Sequence, residues 1–288
     1  MKIWAGRLQE ASSRRNEGTM AKKKQRVKPP KKAPREHQPD KAVVYILGDS
    51  PMVEEHIALC SSHGYAVVYD LDVKSQTPQT FDSGLVRKSA KIPSNVSFAL
   101  ELTNIDLEKK RKNLEALDKA LPVNIAIASS SVTVSATEQS SWINHKSRLV
   151  GICSLPTLSK ASLVEVAPTV FSPAETIQVV QRFFGSIGKE IELVQDRVGM
   201  VFPRIVCQII NEAAFALQEE IATPQDIDLA MKLGADFPEG PIEWADKLGM
   251  QQVYAVLSAL HRDLGEDRYR VSPLLRQMAL SGTWWKKK

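Results

Sequence analysis

The chain has 288 residues, of which 43% are hydrophobic and 25% charged. These proportions are typical of a soluble globular protein, and the length predicts two domains of ordinary size. No apolar run approaches the roughly 18–20 residues that cross a membrane, and the first residues do not resemble a signal peptide. Three cysteines and five histidines without metal-type spacing predict a reducing, cytoplasmic location, no disulfide framework and no metal site.

The charge is concentrated at one end of the chain. Residues 1–41 contain 13 Lys and Arg against 4 Asp and Glu, whereas the remainder is slightly acidic. Few apolar residues and the pair Pro29–Pro30 predict a disordered basic tail here. Three roles stay open for it: a solubilising extension, an arm that binds nucleic acid or another anionic partner, and an organelle transit peptide. Met20 is an alternative start of the protein.

The first structured segment has the pattern of a βαβ unit. The apolar run Ala42–Leu47 is typical of a buried parallel strand, and Gly48 follows it directly. Helical spacing then covers Val53–His63, and a second strand is predicted at Ala66–Tyr69, ending at the acidic Asp70. A strand, tight turn, helix and strand within about 30 residues indicate a nucleotide-binding type of unit.

The alternation of strands and helices continues to about residue 195. Ser172 and Glu175 have the spacing of a capping box, which predicts a helix ending near Phe184. The other predicted elements are a helix at Asp106–Ala120 and strands at Val96–Leu102, Pro122–Ala128, Leu149–Cys153 and Ile191–Val194. This order predicts an α/β domain over residues 42–195, built on a doubly wound Rossmann-like parallel sheet.

From Gly199 onward the periodicity is purely helical. Thr223 has the position of an N-cap, and the glycines and prolines near residues 234–241 mark turns. Helices are predicted at Val201–Glu220, Thr223–Leu233, Glu243–Leu248, Met250–Asp263 and Ser272–Leu280. Residues 196–288 are therefore predicted to form an all-α domain.

One stretch of this helical part is specific enough to indicate a family. The sequence ATPQDIDLAMKLGADFPEGPIEWADKLGM at Ala222–Met250 resembles the C-terminal domain of the NAD-dependent 3-hydroxyacyl-CoA dehydrogenases. The resemblance implies a Rossmann-like NAD-binding domain, a helical domain that makes a homodimer, and NAD as the cofactor. It also implies the family reaction, the oxidation of 3-hydroxyacyl-CoA to 3-oxoacyl-CoA in fatty acid metabolism.

The resemblance assigns the cofactor positions. The family's GxGxxG motif falls on Gly48, Ser50 and Val53, so only the first glycine is retained. Asp70 lies where the family's acidic residue holds the adenine ribose. Three carboxylates crowd the start of the following helix, where an anionic pyrophosphate would bind: Asp49, Glu54 and Glu55.

The resemblance also assigns the catalytic positions, and most of them differ. The family's general base, a His, falls on Cys153, and the Asn of the same motif falls on Pro156. The Ser and the second Asn, which contact the substrate oxygen, fall on Val132 and Pro203. Only the Glu that orients the His is retained, as Glu165. A thiol beside a carboxylate is a poor base, because the negative charge raises its pKa.

Two further features bear on function. The segment between Asp72 and Val96 is too short for the family's helical hairpin, which helps to hold CoA. His145 is the one alternative base that the sequence suggests. We therefore predict a diverged member with weak or lost activity. The alternatives are a non-catalytic dimeric binding or scaffold protein, a working oxidoreductase with altered chemistry, and a dimer that presents two basic arms to an anionic partner.

Overall fold

The computed structural model describes residues 42–71 and 84–282. All of these belong to one compact unit, Pro39–Lys288. The basic tail, Asp72 and the end of the chain after residue 282 lie outside the described residues. So do residues 73–83, part of the segment predicted to lack the helical hairpin.

The strands form one eight-stranded sheet in the order β3-β2-β1-β4-β5-β6-β7-β8. The strands are β1 Val43–Gly48, β2 Ala66–Asp70, β3 Val86–Lys88, β4 Val96–Leu102, β5 Ile127–Ser130, β6 Leu149–Ile152, β7 Leu163–Pro168 and β8 Glu190–Leu193. Neighbouring strands are parallel except β6 and β7, which are antiparallel.

Nine α-helices occur in the described part of the chain. They are α1 Met52–Ser62, α2 Leu107–Ala120, α3 Ala136–Ser140, α4 Ala174–Ser186, α5 Phe202–Gln218, α6 Pro224–Gly234, α7 Pro241–Leu248, α8 Met250–Leu264 and α9 Pro273–Ser281. The longest has 17 residues, and none of these nine is both long and apolar enough to cross a bilayer.

Strand β1 shows why the sheet is covered on both faces. All six of its residues are buried. Val44 and Ile46 pack with α1 and α4 on one face, whereas Tyr45 and Leu47 pack with α2 on the other. Because side chains alternate along a strand, a continuous apolar run requires a helical layer on each side. The prediction of a doubly wound α/β domain followed by a helical domain is confirmed.

Three local predictions were wrong. The sheet is not entirely parallel, because β7 follows β6 after a ten-residue connection that contains no crossover helix. The strand predicted at Pro122–Ala128 corresponds to β5, but β5 begins later than predicted because residues 122–125 form a turn. Ser172 does not cap α4: its hydroxyl accepts from the Thr169 N–H and donates to the Leu149 carbonyl. The short strand β3 and strand β7 were not predicted.

The helical part packs on the sheet where β5 and β6 end. Val132 and Cys153, which follow these strands, share an apolar cluster with Val206 of α5 and with Val253 and Leu257 of α8. This junction brings the carboxyl ends of the central strands against α5 and α8. The boundary near residue 195 stays a prediction.

Candidate functional site

The carboxyl ends of β1 and β4 mark the expected binding crevice. Strand β1 lies between β2 and β4, so the order of strands reverses at this point. Ligands of open α/β sheets bind outside the carboxyl ends of the strands at such a switch point. The loop after β1 starts at Gly48, and the loop after β4 contains Thr103–Ile105. Helix α8 covers the same edge through Gln252.

Gly48 has a structural reason to be glycine. Its φ is +142°, and a Cβ placed on it would lie 2.5 Å from the carbonyl carbon of Leu102. The backbones of β1 and β4 therefore approach too closely for any side chain. The single retained glycine of the motif is required by this contact, whether or not a cofactor is bound.

The polar groups of the loop after β1, which would face a pyrophosphate, form hydrogen bonds within the protein. The Asp49 carboxylate accepts hydrogen bonds from the backbone N–H groups of Asn104 and Ile105, at 2.9 and 3.4 Å. The Ser50 hydroxyl donates to Glu54 at 2.8 Å. The Val53 N–H, in the first turn of α1, donates to the Asp49 carbonyl at 3.1 Å.

This loop does not fit a pyrophosphate in the manner of a glycine-rich loop. Pro51 has no N–H to donate, and the fully buried Val53 stands where a glycine allows close helix packing. Asp49 and Glu54 place negative charge beside the first turn of α1, which repels an anionic ligand. The carboxylate of Glu55 is held by the Thr157 N–H and the Ser159 hydroxyl.

Asp70 is placed as the resemblance requires. It is the last residue of β2 and pairs with Leu47 of β1, so it lies at the edge of the sheet that carries the crevice. Burial, and secondarily the charge of Asp70, raise the pKa of Tyr45 to about 12. The role of Asp70 in holding a ribose stays a prediction.

A polar network spans the crevice itself. The Asn104 side-chain amide donates to the Ser154 carbonyl at 2.9 Å and to Gln252 Oε1 at 3.0 Å. The Thr133 hydroxyl donates to the Asn104 carbonyl at 2.7 Å. Asn104 and Gln252 are buried, so the loops after β4, β5 and β6 are tied to α8. The sequence analysis missed both residues, although a polar residue directly after a buried strand was a usable signal.

Cys153 and Glu165 lie in neighbouring strand segments but do not form a proton-transfer pair. Burial raises the pKa of the Cys153 thiol well above its ordinary value, and the charges of Glu165 and Cys207 add to this. The Glu165 carboxylate accepts hydrogen bonds from the Val201 N–H at 2.8 Å and the Phe202 N–H at 2.7 Å. The thiol is therefore neutral, and both carboxylate oxygens hold the start of α5.

The other catalytic positions contribute no polar side chain. Val132 is fully buried in the apolar cluster beneath α8, and Pro203 is buried in the first turn of α5. Pro156 lines a groove together with Ser50 and Met250. Valine and proline side chains cannot donate a hydrogen bond to a substrate oxygen.

His145, the alternative base, lies elsewhere. Its Nδ1 is 3.1 Å from a carboxylate oxygen of Asp118 in α2, beside Arg148. This pair holds the turn before β6. The structure therefore does not bring His145 to Cys153.

A different histidine shares a cavity with Cys153. The cavity, of about 230 Å³, lies between α1, the end of β6, β7 and α4, and we call it the His56 cavity. Its polar lining consists of His56, Cys153, Ser154, Ser159, Glu165 and Lys189. The sequence analysis missed His56, because helical spacing alone does not show which residues lie under its inner face.

Two wider grooves lie where α8 and α9 meet the loops at the sheet edge. One, of about 410 Å³, is lined by Asn104, Thr133, Tyr254 and Arg262 among others. The other, of about 360 Å³, is lined by Ser50, Pro51, Pro156 and Met250 among others. Ile105 lines both, so they flank the loop after β4. Both lie between the sheet edge and the helical part.

Two sequence models match consecutive parts of the chain. The NAD binding domain of 3-hydroxyacyl-CoA dehydrogenase matches residues 72–197. The C-terminal domain of 3-hydroxyacyl-CoA dehydrogenase matches residues 199–288. The predicted NAD-binding-type domain and the predicted helical domain are confirmed by these matches. The first match begins after β2, so it leaves out Gly48 and α1.

Curated relatives and solved structures agree with these matches. The chain is 30% identical over 194 residues to the probable 3-hydroxybutyryl-CoA dehydrogenase of Bacillus subtilis, covering 67% of each chain. It is 30% identical over 175 residues to the 3-hydroxybutyryl-CoA dehydrogenase of Bradyrhizobium diazoefficiens, which covers 61% of this chain and 60% of the relative.

Among solved structures, the fold is similar to that of (S)-3-hydroxybutyryl-CoA dehydrogenase from Ralstonia eutropha, with a TM-score of 0.70 at 24% identity over 84% of this chain and 94% of that one. Both domains, their order and their fold are thus those of one family, whose reaction depends on NAD. This chain belongs to the 3-hydroxyacyl-CoA dehydrogenase family.

Proposed function

We propose that this chain is a member of its family in which NAD-dependent oxidation of 3-hydroxyacyl-CoA is weak or lost, and that it acts as a dimeric binding protein. One observation carries the proposal. Both carboxylate oxygens of Glu165, the retained catalytic residue, accept hydrogen bonds from the Val201 and Phe202 N–H groups. The neighbouring thiol of Cys153 is buried and neutral.

The chemistry explains why this arrangement matters. Hydride transfer from a secondary alcohol requires a base that takes the hydroxyl proton, and such general base help contributes about 10²–10⁴ in rate. A protonated thiol cannot accept that proton. Glu165 cannot orient a thiol as it would an imidazole, because a thiol lacks the second nitrogen through which a carboxylate fixes the ring.

The crevice supports the same proposal. NAD is the cofactor of the family. In this chain, however, the Asp49 carboxylate accepts hydrogen bonds from the N–H groups of the loop after β4. Asn104 and Gln252 join that loop to α8. We expect NAD to bind weakly, since its pyrophosphate would meet carboxylates where the family's loop offers glycine N–H groups.

We propose that the helical part forms a homodimer in the cytoplasm. Three large apolar side chains on α5 and α6 are more than half exposed: Ile205, Leu229 and Leu233. Such apolar side chains at the surface of two helices support an interface there. The excess of Lys and Arg in residues 1–41 supports an additional, salt-dependent contact with an anionic partner such as nucleic acid. That contact would disappear from a chain lacking these residues.

The experiment is a direct comparison of cofactor binding and turnover. NADH would be titrated into the full chain by calorimetry, and NADH oxidation would be followed with acetoacetyl-CoA. We expect dissociation constants in the millimolar range or weaker, and turnover far below that of the Bacillus subtilis relative measured in parallel. Turnover comparable to that relative would refute the proposal.

A further inference from the structure

The His56 cavity has apolar walls and a few polar groups. Its volume of about 230 Å³ exceeds that of a cavity of about 150 Å³ that holds benzene in another protein. The apolar walls are formed by Leu59, Ile152, Leu158, Leu163, Phe184 and Phe202. The space therefore suits a small molecule of one ring or a short branched chain.

His56 lines this space and has one ring nitrogen that can accept a hydrogen bond. Its Nδ1 lies 2.8 Å from the Met52 carbonyl oxygen. A carbonyl can only accept, so Nδ1 carries the proton and Nε2 is the acceptor. The side chain makes no second hydrogen bond within the described residues and is buried. Burial lowers the pKa of His56 and outweighs the opposing Met52 contact, so the ring is neutral.

Ser154 supplies the complementary group. It is 1% exposed, and its hydroxyl has no hydrogen-bond partner within the described part of the chain. Its carbonyl is already used, since it accepts from Asn104 and Ser130. Buried hydroxyl groups are nearly always hydrogen-bonded, so the unpartnered hydroxyl of a residue that lines a cavity is available to a ligand.

The two charges in the wall do not call for an ionic ligand. The Lys189 ammonium donates to the carbonyls of Ser159 and Ala161, at 2.6 Å each. The Glu165 carboxylate is held by the start of α5. The Ser159 hydroxyl donates to Glu55. Besides the neutral Cys153 thiol, one acceptor and one hydroxyl remain among apolar side chains.

We propose that the His56 cavity binds a small neutral molecule with an apolar body and one hydroxyl group, of the phenol class. The hydroxyl would donate to His56 Nε2 and accept from the Ser154 hydroxyl, which satisfies both groups at once. The inference stands on His56 and Ser154, which are not positions of the family's catalytic set. It holds whether or not dehydrogenase activity remains.

The test measures two probes on the full chain by calorimetry: phenol, and toluene, which has the same ring without the hydroxyl. Phenol is expected to bind the wild-type chain and to bind Ser154→Ala about two- to tenfold more weakly, the loss of one hydrogen bond. Toluene is expected to bind both equally. Ser141→Ala, which removes an exposed hydroxyl outside the cavity, should leave both probes unchanged.

Two further measurements keep the test independent of any one variant. Ala161→Leu adds bulk to the cavity wall and should abolish binding of both probes, whereas Ala235→Leu at an exposed position should not. The ¹⁵N resonance of His56 Nε2 should move on adding phenol but not toluene.

The inference is overturned if phenol shows no heat of binding, if Ala161→Leu binds it as well as the wild type, or if Ser154→Ala weakens toluene equally. NADH turnover is measured separately. If the chain binds phenol and is an active dehydrogenase, the proposed function alone is refuted. If the chain is inactive and does not bind phenol, this inference alone is refuted.

Discussion

Two carboxylates, one in the helical part and one at the sheet edge, make the same contact in different surroundings. Asp228 accepts from the Ile242 and Glu243 N–H groups at the start of α7, at 2.8 and 3.2 Å. Glu165 accepts from the first N–H groups of α5. Each accepts from N–H groups at a helix start that have no partner within the helix. Each carboxylate also lies at the positive end of the helix dipole, which stabilises its negative charge.

The difference lies in the sequence around them. Asp228 belongs to the stretch that resembles the family closely, and its contact is one of packing. Glu165 stands where the family needs a partner for a histidine, yet it has a helix-capping contact as well. The helical part matches the family's C-terminal domain, whereas polar side chains at the sheet edge hold loops and a helix start in place.

The largest expected effect concerns the glycine retained at the sheet edge. Gly48→Ala should lower the free energy of unfolding by about 3 kcal/mol, because its Cβ would overlap the Leu102 backbone. Gly64→Ala is the matched control. Its φ is also positive, but no described atom lies within 4 Å of the added Cβ, so about 1 kcal/mol is expected. Equal losses in urea unfolding would show that Gly48 is not a packing residue.

The comparison of the two carboxylates can be measured directly. Glu165→Ala and Asp228→Ala should each cost about 2 kcal/mol, the range for hydrogen bonds to a charged group. Glu115→Ala, in an exposed pair with Arg111, should change stability by less than about 0.5 kcal/mol. Should Glu165→Ala leave urea unfolding unchanged while Asp228→Ala lowers stability, the equivalence of the two contacts would be wrong.

A smaller effect is expected from His56. Its pKa is lowered from the ordinary 6.5 by burial, so the unfolded chain takes up a proton that the folded chain does not. Stability is therefore complete above about pH 7 and falls as the pH drops below 6.5. His56→Leu should flatten this part of the profile, and His63→Leu, with an exposed ring, should not. A steep acid slope that survives in His56→Leu would contradict the buried neutral state.

The smallest expected effect is that no cysteine thiol reacts in the folded chain. All three cysteines are buried, and burial raises the pKa of Cys60 to about 12 and that of Cys153 well above its ordinary value. A disulfide reagent at about pH 8 should label no thiol in the folded chain and all three in guanidinium. Fast labelling of Cys153 in the folded chain would instead identify a reactive site.

Much of the fold was predictable because local patterns determine it. The buried run of β1, the turn at Gly48 and the helix after it follow from apolar periodicity and one glycine. The Thr223 cap of α6 was correct. The antiparallel pairing of β7 was not predictable, since a strand's direction depends on a connection that periodicity does not describe.

The site was predictable only position by position. The sequence places Cys153 and Glu165 by resemblance, and the structure then shows what each one contacts. It could not show that Asn104 meets Gln252, 148 residues away, or that His56 shares a cavity with Cys153. Such contacts depend on how distant segments pack, which no single-sequence pattern records.

The most direct test of the central claim is the kcat/KM for NADH oxidation with acetoacetyl-CoA, measured beside the Bacillus subtilis relative. The proposed loss of the general base, with the Glu165 carboxylate engaged elsewhere, predicts a value lower by about 10²–10⁴. A value within about tenfold of that relative would contradict the account, since it would require a working base at the sheet edge.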